Sequence, residues 1–214
     1  MVEIVARQAA GGLLPGVVLA AGASSRMGSP KALLEYRGQT FLAHVVSTLR
    51  VAGLEDVVVV TGAHDHEIRS AATADPALSG VRFCHNPDHA RGPLSSLHLA
   101  LALVDHPGVS GVVVALVDHP AVRPDTVDAL LREWRATKAP VVRPRYRGRH
   151  GHPVVFDRTA FGALWQAPLD EGARAVVRGF GSAVCTVEVD DRGVVLDIDS
   201  PSDLAALTGQ GDVG

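Results

Sequence analysis

Four groups of residues in this 214-residue chain have types and spacings suited to chemistry. The first is LAAGASSRMGSPK, residues 19–31. Gly22 and Gly28 let the backbone approach a ligand closely, and successive N–H groups there can form an anion-binding concavity. Arg26 and Lys31 add two cations to that cradle. The two glycines are six apart and Lys31 lies three beyond the second, so the segment is neither a Walker A loop nor a G-x-G-x-x-G fingerprint. The second group centres on Asp118 in VALVDHP, where Pro120 stops an apolar strand. A carboxylate at such a strand end suits Mg²⁺, which is held by one or two carboxylates plus substrate phosphates. Capping of the following turn is the ordinary alternative.

The third group is DIDSPSDL, residues 197–204. On a strand, Asp197 and Asp199 share one face and could reach one metal ion. Asp and Ser ahead of a proline are equally ordinary helix-start residues. The fourth is Arg143, Arg145, Arg147, Arg149, His150 and His152. Arginines two apart on an extended ribbon line one side, which suits an anionic acceptor; a solvated basic hairpin is the alternative. Other chemistries find little support. Cys84 and Cys185 make no C-x-x-C and read as inert core thiols. The pairs His64/His66 and His85/His89 lack a matched carboxylate or thiolate set for structural zinc. Ser24, Ser25, Ser95 and Ser96 lie in no G-x-S-x-G elbow.

The elements that must position these groups follow from hydrophobic pattern. Apolar runs at 16–20, 56–61, 81–85 and 111–117 read as strands, with helices at 40–52, 64–74, 94–104 and 124–137. Four strand–helix alternations are a βαβ signature, and right-handed crossovers place helices on both faces of a mostly parallel sheet. Ligands of such sheets sit beyond the carboxyl ends of the strands, where strand order reverses. The loops after strands one, three and four therefore have first claim on function. Beyond residue 139 the pattern predicts strands around 141–142 and 154–156, helices at 159–166 and 171–178, and a strand at 183–189. A turn at 190–193, a strand at 194–198 and a helix at 201–207 capped by Ser200 follow. One domain over 15–207 is expected, with 1–14 and 208–214 as flexible ends.

Composition narrows the class. The chain is 47% apolar and 20% charged, which excludes disorder, and aromatics at 4% suit Val/Ala/Leu-rich buried strands. A net charge of -3 argues against a general nucleic-acid binder. Glu3 and Arg7 break any signal-peptide order, and no run reaches 18 apolar residues. A cytoplasmic protein without a membrane span is expected.

LAAGASSRMGSPKALL, NPDHARGPLSSL (86–97), LVDHP, GHPVVF (151–156) and DIDSPSDL occur in an order that resembles the MobA-like NTP transferases, nearest to the molybdenum cofactor cytidylyltransferases. The resemblance runs from about residue 15 to 207. It implies a Rossmann-like, three-layer α/β/α nucleotidyltransferase fold. It also implies transfer of an NMP from an NTP, here CTP, to a phosphate on molybdopterin, with release of pyrophosphate. Carried over by position, Ala20, Ala21 and Gly22 would line the base pocket, with Leu19 also in the nucleotide site. Arg26 and Lys31 would hold the triphosphate, and both would be catalytic together with Asp118. Ser24, Ser25, Gly28, Gly62, Asn86, Gly92, Ser95 and Ser96 would complete the nucleotide site. Asp118 and Asp199, with Asp197 in reserve, would hold Mg²⁺ or Mn²⁺. Arg145, Gly151, His152 and Pro153 would belong to the acceptor side. Ala21 and Ser96 follow the cytidylyl pattern, whereas Pro93 is more typical of guanylyl relatives and His119 replaces the commoner Gln or Met. GMP transfer, a sugar or polyol phosphate acceptor, and a non-catalytic carrier serving a molybdoenzyme are the alternatives.

Overall fold

The computed structural model describes residues 12–23 and 27–209. Ser24, Ser25 and Arg26, and the outer parts of both expected flexible ends, lie outside the described residues. Strand β1 (Gly16–Ala20) is followed by a small hairpin, β2 (Glu35–Tyr36) and β3 (Gln39–Thr40), which the sequence pattern did not announce. Helix α1 (Phe41–Val51) starts where Thr40 Oγ1 accepts a hydrogen bond from Ala43 N at 3.2 Å. The βα alternation continues through β4 (Val57–Thr61), α2 (Asp65–Ala74), β5 (Arg82–His85), α3 (Pro93–Val104), β6 (Gly111–Leu116) and α4 (Pro124–Thr137). The remainder comprises β7 (Val141–Tyr146), β8 (Arg149–His150), β9 (Val154–Asp157), α5 (Phe161–Gln166), α6 (Ala173–Phe180), β10 (Val184–Glu188) and α7 (Pro201–Gly209).

The main sheet has the order β10-β7-β9-β6-β1-β4-β5, with β8 paired to β7. Most neighbours are parallel; β9 runs against both β6 and β7. The Val57–Thr61 strand is buried throughout, as expected of a strand covered on both faces. Phe41, Leu42, Leu130, Leu131 and Trp134 from α1 and α4 pack one face, and Leu97, Leu101, Leu164 and Val176 from α3, α5 and α6 pack the other. The buried Trp134 Nε1 donates to Asp157 Oδ2 at 2.9 Å, so its one polar atom is satisfied. The expected three-layer, mostly parallel α/β/α architecture is therefore found. Ahead of β1, Leu13 bridges to Val109, so tertiary pairing begins before residue 15.

Two local expectations are corrected. Residues 194–198 do not form a strand. Arg192–Val195 is a 3₁₀ turn built on the buried Asp191 carboxylate, which accepts from Gly193 N, Arg123 N and Thr126 Oγ1 at 2.9, 2.9 and 2.7 Å. A Cβ on Gly193 would lie 2.4 Å from Ala121 O, so the chain passes too close to its neighbour for any larger residue. The arginines of the basic segment also do not share one side. The chain reverses at Arg147 and Gly148, both at positive φ as a two-residue hairpin requires. Arg145 then pairs with His150 and Tyr146 with Arg149, which puts Arg149 on the opposite face from Arg143 and Arg145.

Candidate active site

The chain runs from β1 outward through β4 and β5, then returns to place β6 on the other side of β1. At the carboxyl ends of β1 and β6, where strand order reverses, lies a cavity of about 360 Å³. Leu19, Ala20, Ala21 and Gly22 form one wall, Leu116, Val117 and Asp118 another. Gly92, Pro93 and Ser96, at the start of α3, close a third side with His89; Lys31, Ala32 and Asp199 complete the lining.

Several expected nucleotide residues stand one layer behind this wall. Asn86 is 1% exposed, and its Nδ2 donates to Ser95 Oγ and Ser96 Oγ, both at 2.9 Å. Its Oδ1 accepts from Asp88 N at 2.9 Å. Ser95 Oγ in turn donates to Gly92 O at 2.7 Å. Asn86 and Ser95 thus shape the loop that presents Ser96 and Gly92 to the cavity. Gly62 acts similarly: a Cβ there would lie 2.3 Å from Ala21 O and 2.9 Å from the His89 ring. Gly28 is not among the lining residues.

The cavity ends in three charges. Lys31 Nζ lies 3.2 Å from Asp118 Oδ2 and is hydrogen-bonded to Asp199 Oδ1. The Lys31 and Asp118 side chains are only 15% and 23% exposed, so their interaction is not that of a solvated surface pair. Burial alone would raise the Asp118 pKa, but hydrogen bonds and charge from His119 and Lys31 outweigh it and hold the group at about 2. Burial would lower the Lys31 pKa, yet its bonds to Asp199 and Asp118 leave it raised. His119 Nδ1 stands 3.1 Å from Asp118 Oδ1, and the His119 and His152 rings meet edge-on at 5.5 Å. Burial is the main force pushing His152 down to about 4, so its imidazole is neutral at physiological pH.

Asp199 reaches the cavity because the chain around it is tied down. Ile198 N donates to Asp118 O at 3.0 Å. Asp199 N and Ser200 N both donate to Asp203 Oδ2, at 3.1 and 2.8 Å, while Asp203 N reaches Ser200 Oγ at 3.3 Å. Ser200 and Asp203 therefore cap α7 reciprocally and leave the Asp199 carboxylate to the cavity. Asp197 is exposed, with the fully buried Ile198 between the two carboxylates.

The donor set suits a hard divalent cation. The Lys31 ammonium already marks a position where positive charge is held between Asp118 and Asp199. Among the described residues no group of three or more His, Cys, Asp or Glu could enclose a metal ion. Two carboxylates facing a nucleotide-sized cavity match a cation that takes its other ligands from water and phosphate. The expected acceptor residues lie elsewhere. His152 and Pro153 line a separate void of about 10 Å³ behind Asp118 and His119. Gly151 packs against Val194, and Arg145 is paired with Glu188. Sequence reasoning missed His89 and Pro93 as cavity residues and His119 as a partner of Asp118; for His119, adjacency to the strand-end carboxylate was the available signal.

Fold and site together define an α/β nucleotidyltransferase. The chain belongs to the MobA-like NTP transferase domain family, whose model matches residues 16–186. A nicotine blue oxidoreductase from Paenarthrobacter nicotinovorans is 34% identical over 207 residues, covering 90% of this chain and 95% of that protein. The molybdenum cofactor cytidylyltransferase of Escherichia coli K12 is 26% identical, covering 87% and 91%. The crystal structure of Rv0371c from Mycobacterium tuberculosis H37Rv aligns with a TM-score of 0.80 and 36% identity, over 92% of this chain and 98% of that one. A manganese complex of Rv0371c aligns with a TM-score of 0.75. No helix among the described residues is long and apolar enough to cross a membrane.

Proposed function

We propose that this protein transfers CMP from CTP to the terminal phosphate of molybdopterin, with release of pyrophosphate. The observation that carries this reading is the Lys31–Asp118–Asp199 group at the end of the cavity where strand order reverses. The acceptor phosphate is already ionised at neutral pH, so transfer needs neither a general base nor a covalent nucleophile. The protein must align that oxygen with the α-phosphorus and neutralise charge on the departing pyrophosphate. Lys31 supplies a held cation for the triphosphate, and by its place in the sequence Arg26 would add a second, with Ser24, Ser25 and Gly28 of the same loop as further nucleotide contacts. A divalent ion held by Asp118 and Asp199, Mg²⁺ or Mn²⁺, would supply further charge neutralisation on the phosphates.

Ala21 and Ser96 both line the cavity; a methyl-bearing residue at 21 narrows the space a purine would need, which is the basis for choosing a pyrimidine. On the acceptor side, Arg145 has an exposed side chain, while Gly151 and His152 brace the Val194 segment that continues to Asp199 and Pro153 is buried beside them. The test is pyrophosphate release with CTP, GTP, ATP or UTP, Mg²⁺ and molybdopterin, with the dinucleotide product separated by chromatography. CTP should be used at least tenfold faster than the others. Equal or faster turnover of GTP would reassign the base, and turnover only with a sugar or polyol phosphate would reassign the acceptor. Molybdopterin binding with no turnover of any NTP would support a carrier for a molybdoenzyme. The near-full-length similarity to a nicotine blue oxidoreductase favours a second, redox reading. Loss of nicotine blue absorbance catalysed by the protein with an added two-electron donor, and without pyrophosphate release, would establish it.

A further inference from the structure

The two oxygens of Asp118 have different partners. Oδ2 faces the cavity and Lys31 at 3.2 Å, whereas Oδ1 is met from behind by His119 Nδ1 at 3.1 Å. A carboxylate oxygen only accepts, so Nδ1 carries the hydrogen and donates it. His119 has little freedom to leave. It is 8% exposed, its N donates to Leu116 O at 3.2 Å, and its O accepts from Val122 N at 3.4 Å. Its ring rests against His152 on one side and borders the void lined by Thr48 and Leu49. A rigid turn therefore aims a buried donor at one oxygen of the carboxylate that forms the cavity end.

The geometry points to His119 as a positioning residue that engages Asp118 Oδ1 from behind, biases the carboxylate toward ligation through Oδ2, and so selects small octahedral cations over Ca²⁺. This inference rests on the reading of Asp118 as a metal ligand. Ca²⁺ accepts six to eight oxygens and is often bound by both oxygens of one carboxylate; Mg²⁺ demands near-ideal octahedral geometry. Ligation through both oxygens would make Oδ1 share its lone pairs between the ion and the His119 N–H, which weakens it as a ligand and favours ligation through Oδ2. Residues that orient a ligand in this way typically change metal affinity by about 10- to 100-fold when replaced.

The experiment titrates the intact protein with Mn²⁺ alone, followed by loss of the free-ion EPR signal, with Ca²⁺ as competitor. His119→Leu removes the donor and keeps bulk; His119→Asn keeps an N–H donor near the Nδ1 position. Wild type should prefer Mn²⁺ over Ca²⁺ by at least about tenfold, His119→Leu should lose most of that preference, and His119→Asn should retain it within about threefold. An unchanged preference in His119→Leu, or equal impairment of both variants, overturns the role of His119. Ca²⁺ competing as well as Mn²⁺ in the wild type overturns it even if the leucine variant does not fold. The Asp118→Asn variant separates this failure from that of the metal reading. Mn²⁺ binding that survives in Asp118→Asn, or is absent from the wild type, ends both.

Discussion

Lys31 Nζ stands 3.2 Å from Asp118 Oδ2 although 87 residues separate them, and the same ammonium reaches Asp199, 168 residues along. One partly buried cation thus joins the loop after β1, the end of β6 and the entry to α7. One ammonium faces two carboxylates, so removing Lys31 leaves two uncompensated negative charges at the cavity end, whereas removing either acid leaves a neutral pair.

Replacing Lys31 by Met should separate two affinities. The triphosphate loses a counter-charge, so pyrophosphate release should fall about 100-fold or more. The two carboxylates lose their internal cation, so Mn²⁺ alone should bind several-fold tighter than to wild type. Turnover within threefold of wild type would remove Lys31 from the triphosphate role.

Asp118→Asn should abolish turnover, by on the order of 10²–10³ or more. The amide oxygen can still accept from His119, so the turn survives and the melting temperature should move by only a few degrees. Parallel circular dichroism and pyrophosphate assays check this; a variant with near-normal rate refutes the assignment of Asp118.

His152 makes stability depend on pH. Its folded pKa of about 4 lies below the ordinary 6.5, chiefly because it is buried. As pH falls through 6.5 the unfolded chain takes up a proton that the folded chain refuses until about pH 4. The contribution is therefore fully present above pH 6.5 and is lost as pH falls toward 4. At about 1.4 kcal/mol per pKa unit, it amounts to something on the order of 3 kcal/mol. Melting curves of His152→Gln should show a shallower decline between pH 6.5 and 4 than wild type; identical slopes would identify another group.

Gly151→Ala should damage the site from outside it. A Cβ there would sit 1.8 Å from Val194 O, against the segment whose Val194 O accepts from His152 N at 2.9 Å and which continues to Asp199. The segment must shift, at a cost of about 1–3 kcal/mol. Mn²⁺ affinity should fall more than CTP affinity, because Asp199 moves while the β1 wall does not. Equal loss of both would mean the disturbance spreads through the sheet.

The four βα units were legible because a strand covered on both faces reads as a continuous apolar run, as at Val57, Val58, Val59 and Val60. The 194–198 segment misled for the converse reason. Its apolar pattern resembles a strand, but Asp191 and Gly193 bind it to α4 and the Ala121 turn instead of to a sheet neighbour. Lys31, Asp118 and Asp199 were legible as strand-end and loop charges on the ligand side. Asn86 and Ser95 were read as nucleotide contacts, whereas in the fold each polar hydrogen is spent inside the wall. His119 was given no role, because adjacency along the chain flags an imidazole beside Asp118 without revealing which carboxylate oxygen it will face.

The late arrival of Asp199 has a consequence for truncation. Every strand of the sheet lies ahead of it in the chain, as do Lys31 and Asp118. A chain cut after β10 would therefore retain the strands that build the crevice between β1 and β6 and lose one of the two acids that meet Lys31.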